Sequence, residues 1–249
     1  MDVIDVEEIA RSCRVLGKLE MTHAQLGHVS KRVGDTEAML IKGKGPAEVG
    51  LSYTGIEDVI AVDFGANKIE GAEGLQPPSE SFLHTWLYRK NPDIKCVIHM
   101  HPMYAQLLTA CDKKILPFFA AAPMSRVALD DLRTYPRGII IADDFLGEDF
   151  STFMGQSSMA LMQGHGITVT GSSVADASVR ALDLGWTLKM TYLAYTLGNP
   201  RTILQEDIDE LKRTANETGR LRGSSGGETG MLATWRYYCA AAGEGQPAI

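Results

Sequence analysis

The chain has 249 residues, and 24 Lys+Arg against 31 Asp+Glu give it a formal net charge of −7. At 45% hydrophobic and 22% charged it has the composition of an ordinary globular protein. The acidic balance, with no run of Lys or Arg, excludes nucleic acid and anionic membranes as main partners, because both need a concentrated basic face.

No stretch reaches the roughly 20 apolar residues that cross a bilayer. The first residues, MDVIDVEEIARSC, carry neither the basic nor the apolar region of a secretion signal. The expectation is a cytoplasmic α/β protein with one domain over 1–249. Cys13, Cys96, Cys111 and Cys239 lie far apart with no CxxC pair, so neither a disulfide framework nor a thiolate metal site is expected.

Apolar residues at Val6, Ile9, Cys13, Leu16 and Met21 recur near helical spacing and predict an amphipathic helix over 5–21, opened by Asp5 and Glu8 as a capping box. The runs Glu37–Ile41 and Val59–Phe64 predict strands, and the second continues through GANKIEG as a hairpin. After Pro77 and Pro78, Ser79 is placed to N-cap a helix with Phe82, Leu83, Trp86 and Leu87 on one face, ending at Asn91-Pro92. Cys96–His101 (CVIHMH) predicts a strand. Its alternation points Cys96, Ile98 and Met100 to one face and Val97, His99 and His101 to the other.

A strand at Ile139–Ala142, a helix at Asp149–Met162 and a strand at Ile167–Thr170 follow, the last preceded by QGHG. Residues 173–197 predict a long helix stopped by Gly198-Asn199-Pro200, and Glu206–Thr218 predicts another. The Gly/Ser-rich stretch 219–230 predicts a mobile loop within a mobile C-terminal segment, 219–249, that ends in a short helix carrying Trp235, Tyr237 and Tyr238. Met21, Met100, Met154, Met159 and Met162 read as core fillers.

Two histidines on one strand face, His99 and His101, sit about 7 Å apart at Cα, a spacing from which two imidazoles converge on one ion. Alone, the pair equally suits polar residues at a strand end. His165, between Gly164 and Gly166, has room for a ligand to approach. Glu80, at the start of a helix whose dipole favours a carboxylate, adds an oxygen donor or a general base. Three histidines with a carboxylate match the pattern of a catalytic metal with an open position. His23 and His84 have no such spacing and read as structural.

The ordered set GHVSxR (27–32), TG (54–55), PxSE (77–80), HxHP (99–102) and GHG (164–166) resembles the class II aldolase/adducin family over about residues 5–240. The resemblance implies a three-layer α/β/α fold around a mainly antiparallel sheet, and a homotetramer with active sites between subunits. It further implies a divalent metal on the residues matching His99, His101 and His165, with Glu80 as fourth ligand or acid/base. Manganese is the first expectation; zinc, iron and cobalt suit the same donors.

The sugar-phosphate members of that family typically read G-N-x-S, T/S-S-G and S-S-E around the phosphate. Here the matching positions hold His28, Tyr53-Thr54-Gly55 and Pro78, and Pro78 offers neither a hydroxyl nor an N–H. A small-molecule substrate anchored through a carboxylate fits better. GHVS with HxHP resembles the branch that decarboxylates hydroxylated aromatic acids such as dihydroxyphthalate or hydroxy-methylpyridine-dicarboxylate. A sugar-phosphate aldolase, epimerase or dehydratase is the second reading, and an adducin-like binding module the third.

In the decarboxylase reading Glu80, or a water it holds, delivers a proton. His28 binds a phenolic oxygen or second carboxylate, and Ser79, Thr54, Arg236 and Tyr238 are candidate substrate contacts. Relatives bring a C-terminal Tyr or Arg into a neighbouring subunit, which is why Arg236, Tyr237 and Tyr238 enter. Against that, an aromatic cluster on a terminal helix ordinarily packs onto the core. Arg126 is a further candidate carboxylate partner.

Overall fold

A computed structural model describes residues 1–119, 123–218 and 227–245. Eight strands form one sheet: β1 (His28–Arg32), β2 (Ala38–Lys42), β3 (Val59–Asp63), β4 (Lys68–Glu70), β5 (Cys96–Met100), β6 (Arg133–Tyr135), β7 (Met159–Met162) and β8 (Gly166–Gly171). Their order is β4-β3-β2-β1-β5-β8-β7-β6. Neighbours run antiparallel except β6 and β7. The mainly antiparallel sheet expected for the family is present.

Alternation assigns each strand residue to a layer. Val29, Leu40, Ala61, Cys96, Ile98, Met100, Leu161, Ile167 and Val169 bury on one face, against α1 (Val3–Lys18), α3 (Met103–Ala110), α6 (Val174–Leu197) and α8 (Gly227–Ala241). Met39, Ile41, Ile60, Val62, Val97, Ala160 and Met162 bury on the other, beneath α2 (Ser81–Lys90) and α5 (Asp144–Met154). The result is three layers with two hydrophobic cores. The short α4 (Met124–Leu129) packs on α6 and on α7 (Gln205–Thr218).

Several boundaries differ from the sequence expectation. The first helix starts at Val3, because the Asp2 side chain accepts from the N–H groups of Ile4 and Asp5, displacing the expected Asp5/Glu8 cap. In the second helix Glu80 occupies the N-cap position, and Ser79 is an exposed turn residue. Ile139–Ala142 forms no strand; the edge position beside β7 is taken by Arg133–Tyr135. The helix expected at Asp149–Met162 is two elements. Asp143 caps α5 through Leu146 N–H, Gly155 at φ 57° ends it, and Met159–Met162 is strand β7. β1 had no sequence signal, because the inward positions of HVSKR hold His28 and Ser30 where an apolar residue would mark a strand.

Of the expected loose segment, 219–226 and 246–249 lie outside the described residues, and 227–230 already belongs to α8. Trp235 and Cys239 bury α8 against the core, and the Tyr238 hydroxyl donates to Asp183 Oδ1 at 2.9 Å. Arg126 Nε pairs with Asp183 Oδ2 at 2.8 Å. Both side chains contact the same buried carboxylate of their own chain. Arg236 and Tyr237 are exposed.

Beyond α8, Glu244 accepts from Arg14 at 2.9 Å and Lys18 at 2.8 Å, tying the C-terminal segment to α1. Burial raises its carboxyl, but hydrogen bonds and charge from Arg14 and Lys18 outweigh it, and the pKa falls from 4.5 to about 2. A depressed carboxylate stabilises the fold above its unfolded pKa, and that stabilisation is lost as pH falls through the folded one. Discounted for solvent screening, Glu244→Gln should cost about 1–2 kcal/mol at pH 7. The gap to wild type should close between about pH 4.5 and pH 2, as read by chemical denaturation at each pH.

Candidate metal centre

Sheet register builds the site. His28 on β1 pairs with His99 on β5, and His99 pairs with Thr168 on β8, so one rung across three central strands carries all three side chains. His101 follows β5 immediately, and His165 occupies the turn between β7 and β8. Gly166 permits this closeness: a Cβ there would sit 2.2 Å from the Met100 carbonyl oxygen. Gly27, at φ +90° and packed on Met100 and the His99 carbonyl, lets the chain enter β1 beside His99. Glu80 reaches the same point from the start of α2.

His101 Nε2 lies 3.1 Å from His99 Nε2 and 3.0 Å from His165 Nε2. Glu80 Oε2 is 3.2 Å from His99 Nε2 and 3.7 Å from His165 Nε2. All four donor atoms fall within 4.8 Å of one another. Tetrahedral ligands at roughly 2.0–2.1 Å from zinc stand about 3.3–3.4 Å apart, so this spacing suits a shared ion.

Hydrogen bonding alone does not account for the arrangement. A neutral imidazole has one N–H, and three Nε2 atoms aimed at one point cannot all be satisfied by each other. His101 Nδ1 is buried without a hydrogen-bond partner among the described residues.

Electrostatics prepares the donors. Burial, with the neighbouring His99 and His165, pushes the His101 pKa down to about 3. Burial and His99 also lower His165. Both rings are neutral near pH 7, the form in which imidazole ligates metal. Burial would raise the Glu80 carboxyl, but the His99 imidazole against its Oε2 outweighs it and holds it well below the usual carboxylate range. Glu80 Oε1 is engaged separately, accepting from Ile141 N–H at 3.1 Å. That bond also explains the missing strand at Ile139–Ala142: the Ile141 N–H serves Glu80, and no strand neighbour receives it.

Residues 7–192 match the family described as Class II Aldolase and Adducin N-terminal domain. The chain belongs to this family. Within the class II aldolase and adducin family it is 34% identical over 183 residues to a protein of Arthrobacter keyseri named 3,4-dihydroxyphthalate decarboxylase, covering 72% of this chain and 73% of that one. A Terrabacter protein of the same name is 33% identical over 180 residues, covering 71% and 75%. The fold likeness extends to a solved aldolase II superfamily protein from Pseudomonas syringae, with a TM-score of 0.81 at 18% identity over 97% of this chain and 94% of that one.

Of the class II aldolase motif positions singled out in the sequence, His99, His101, His165 and Glu80 come together, with His28 beside them. His28 Nε2 is 4.0 Å from Glu80 Oε2, and its ring centroid is 5.3 Å from that of His99. Thr54 does not join them; its hydroxyl donates to Leu51 O and its carbonyl accepts from Arg14. Ser79 faces solvent, one residue from Glu80, and His23 is exposed.

Sequence reasoning missed His84, Thr168 and Ile141. His84 is fully buried, with Nε2 2.7 Å from His28 Nδ1 and Nδ1 2.7 Å from Ser30 Oγ. Its spacing four residues beyond Glu80 was the available signal, since i and i+4 share a helix face. Thr168 Oγ1 lies 3.2 Å from His99 Nδ1, the position from which an outer partner orients a metal-binding histidine. Only register across β5 and β8 reveals it.

Proposed function

We propose that this chain is a metal-dependent lyase that decarboxylates an ortho-hydroxy aromatic or heteroaromatic dicarboxylic acid, dihydroxyphthalate being the first candidate. The observation that carries the reading is His28. An imidazole stands on the same sheet rung as His99 and faces Glu80, at the position where sugar-phosphate members of the family carry the asparagine of their phosphate loop. Buried Pro78 removes a further phosphate donor beside it. The likeness to two proteins named 3,4-dihydroxyphthalate decarboxylase supports the same substrate class.

His99, His101, His165 and Glu80 are the residues that would hold a divalent ion, manganese first, with zinc, iron and cobalt suiting the same donors. Such an ion supplies Lewis-acid stabilisation of negative charge on a substrate oxygen. The protein's own groups do the rest. His28 binds a phenolic or carboxylate oxygen and fixes the ring. Glu80 orients a water that relays the proton of the ring hydroxyl to the carboxyl-bearing carbon as that hydroxyl becomes a ketone. The bond to the carboxyl carbon then breaks, its electron pair returns to the ring, and carbon dioxide leaves. Thr168 steadies His99, and the Ile141 N–H steadies Glu80. Arg236, exposed on α8, is the residue available to a neighbouring copy in a homotetramer of a cytoplasmic enzyme.

The test follows the ultraviolet spectrum of manganese-loaded protein with a panel of ortho-hydroxy benzene and pyridine dicarboxylates, with EDTA as control. An EDTA-sensitive spectral change with stoichiometric carbon dioxide is the expected result. No turnover across the panel, together with cleavage of a sugar phosphate, would replace this reading with an aldolase.

A further inference from the structure

A continuous buried hydrogen-bond chain runs away from the metal centre beneath α2. Tyr88 Oη lies 2.8 Å from Ser30 Oγ, Ser30 Oγ lies 2.7 Å from His84 Nδ1, and His84 Nε2 lies 2.7 Å from His28 Nδ1. All four side chains are buried. Two come from β1 and two from α2, one helical turn apart, so the chain is built into the packing of helix on sheet.

Proton counting gives the chain a direction. The Tyr88 hydroxyl has one side-chain partner among the described residues, Ser30 Oγ, and its backbone contact with Val97 favours the phenolate, as a group donating to the phenol oxygen does. If it did not donate there, its proton would be buried without an acceptor, which is costly. Ser30 then accepts from Tyr88 and has one proton to give. Its alternatives are His84 Nδ1 at 2.7 Å and the Val97 carbonyl at 3.5 Å, and the shorter contact takes it. With Nδ1 accepting, the neutral His84 ring carries its proton on Nε2 and donates to His28 Nδ1. His28 in turn carries its own proton on Nε2, the nitrogen facing Glu80 Oε2.

We infer that Tyr88, Ser30 and His84 are positioning residues that lock His28 as the Nε2–H tautomer, so that His28 selects a substrate presenting an acceptor oxygen, a carboxylate or phenolate, at that point. A hydroxyl that must donate finds no acceptor on His28. The substrate consequence rests on the decarboxylase reading; the tautomer rests on the hydrogen-bond geometry alone.

The experiment uses full-length, zinc-loaded, nitrogen-15-labelled protein, diamagnetic and so readable by NMR. Correlation of ring protons with ring nitrogens reports which nitrogen of each histidine is protonated, and the spectrum of His28→Asn assigns His28. The expected result is His28 protonated on Nε2 and bare on Nδ1, and Nδ1 protonation would overturn the inference. Tyr88→Phe keeps the ring and removes the proton that sets the direction. The second tautomer should then appear, and KM for the carboxylate substrate should rise about threefold to tenfold, with kcat changed less. An unchanged tautomer and KM would overturn the role of Tyr88.

Should Tyr88→Phe fail to fold, Ser30→Ala breaks the same chain one link closer and carries the same two readouts. The NMR result needs no turnover. Nε2–H without decarboxylation sinks the proposed function and keeps this inference, whereas decarboxylation with Nδ1–H does the reverse.

Discussion

His101→Ala is expected to abolish stoichiometric metal binding and to lower turnover below one per cent of wild type, while leaving the metal-free fold at least as stable. The affinity loss follows from the position of His101 Nε2, 3.1 Å from His99 Nε2 and 3.0 Å from His165 Nε2, in the middle of the imidazole set. Loss of an outer partner of a ligand typically costs roughly 10- to 100-fold in metal affinity, so loss of the ligand itself must cost more. The stability half of the result runs against the usual direction for a half-buried residue. Removing this ring relieves the crowding of three Nε2 atoms and deletes a buried Nδ1 that has no partner among the described residues.

Two measurements check it: metal content after dialysis, and thermal unfolding with and without EDTA. At a metal concentration 100 times Kd, wild type should gain roughly 2.7 kcal/mol over its metal-free form. The variant should gain nothing. An EDTA-sensitive transition retained in His101→Ala would remove it from the ligand set.

Much of this site was legible because its chemistry is carried by residue types with few ordinary reasons to cluster. Strand alternation through CVIHMH puts His99 and His101 on one face, and the structure keeps Val97 in one core with Cys96, Ile98 and Met100 in the other. The GHG turn delivers His165, and the start of a helix delivers Glu80.

What stayed hidden depends on pairing between segments distant in the chain. β1 carries polar residues where a strand pattern needs apolar ones, because His28 and Ser30 face the site and its hydrogen-bond chain. His84 looks like a core histidine from sequence, and only the packing of α2 over β1 brings it to His28. The Ile139–Ala142 segment has the composition of a strand and is not one. Tertiary context decides there, since a backbone N–H needed by a buried carboxylate outweighs local β-propensity. The C-terminal aromatics divide: Trp235 packs into the core and Tyr238 closes a buried network with Asp183 and Arg126, while Tyr237 is exposed.

Glu80→Gln separates the two functions open to the carboxylate, and it is expected to keep the metal and lose the reaction. Three imidazoles and a water form a complete catalytic set without a fourth protein ligand, so metal should still bind stoichiometrically at saturation. Glutamine is nearly isosteric, and its carbonyl can keep the Ile141 N–H bond now made by Oε1. Its amide nitrogen then takes the place of Oε2, beside His99, His165 and His28. An NH2 there donates where the carboxylate accepts, and it can neither take up nor return a proton through a held water.

If His28 presents Nε2–H toward that atom, two donors now face each other across the site, and the substrate pocket loses its arrangement as well as its base. The expected fall in kcat is roughly 10²- to 10⁴-fold, the usual range for losing a general acid or base. Metal content and single-turnover kinetics on the same preparation give the answer. Loss of the metal in parallel with turnover would place Glu80 among the essential ligands, and unchanged turnover would take it out of the mechanism.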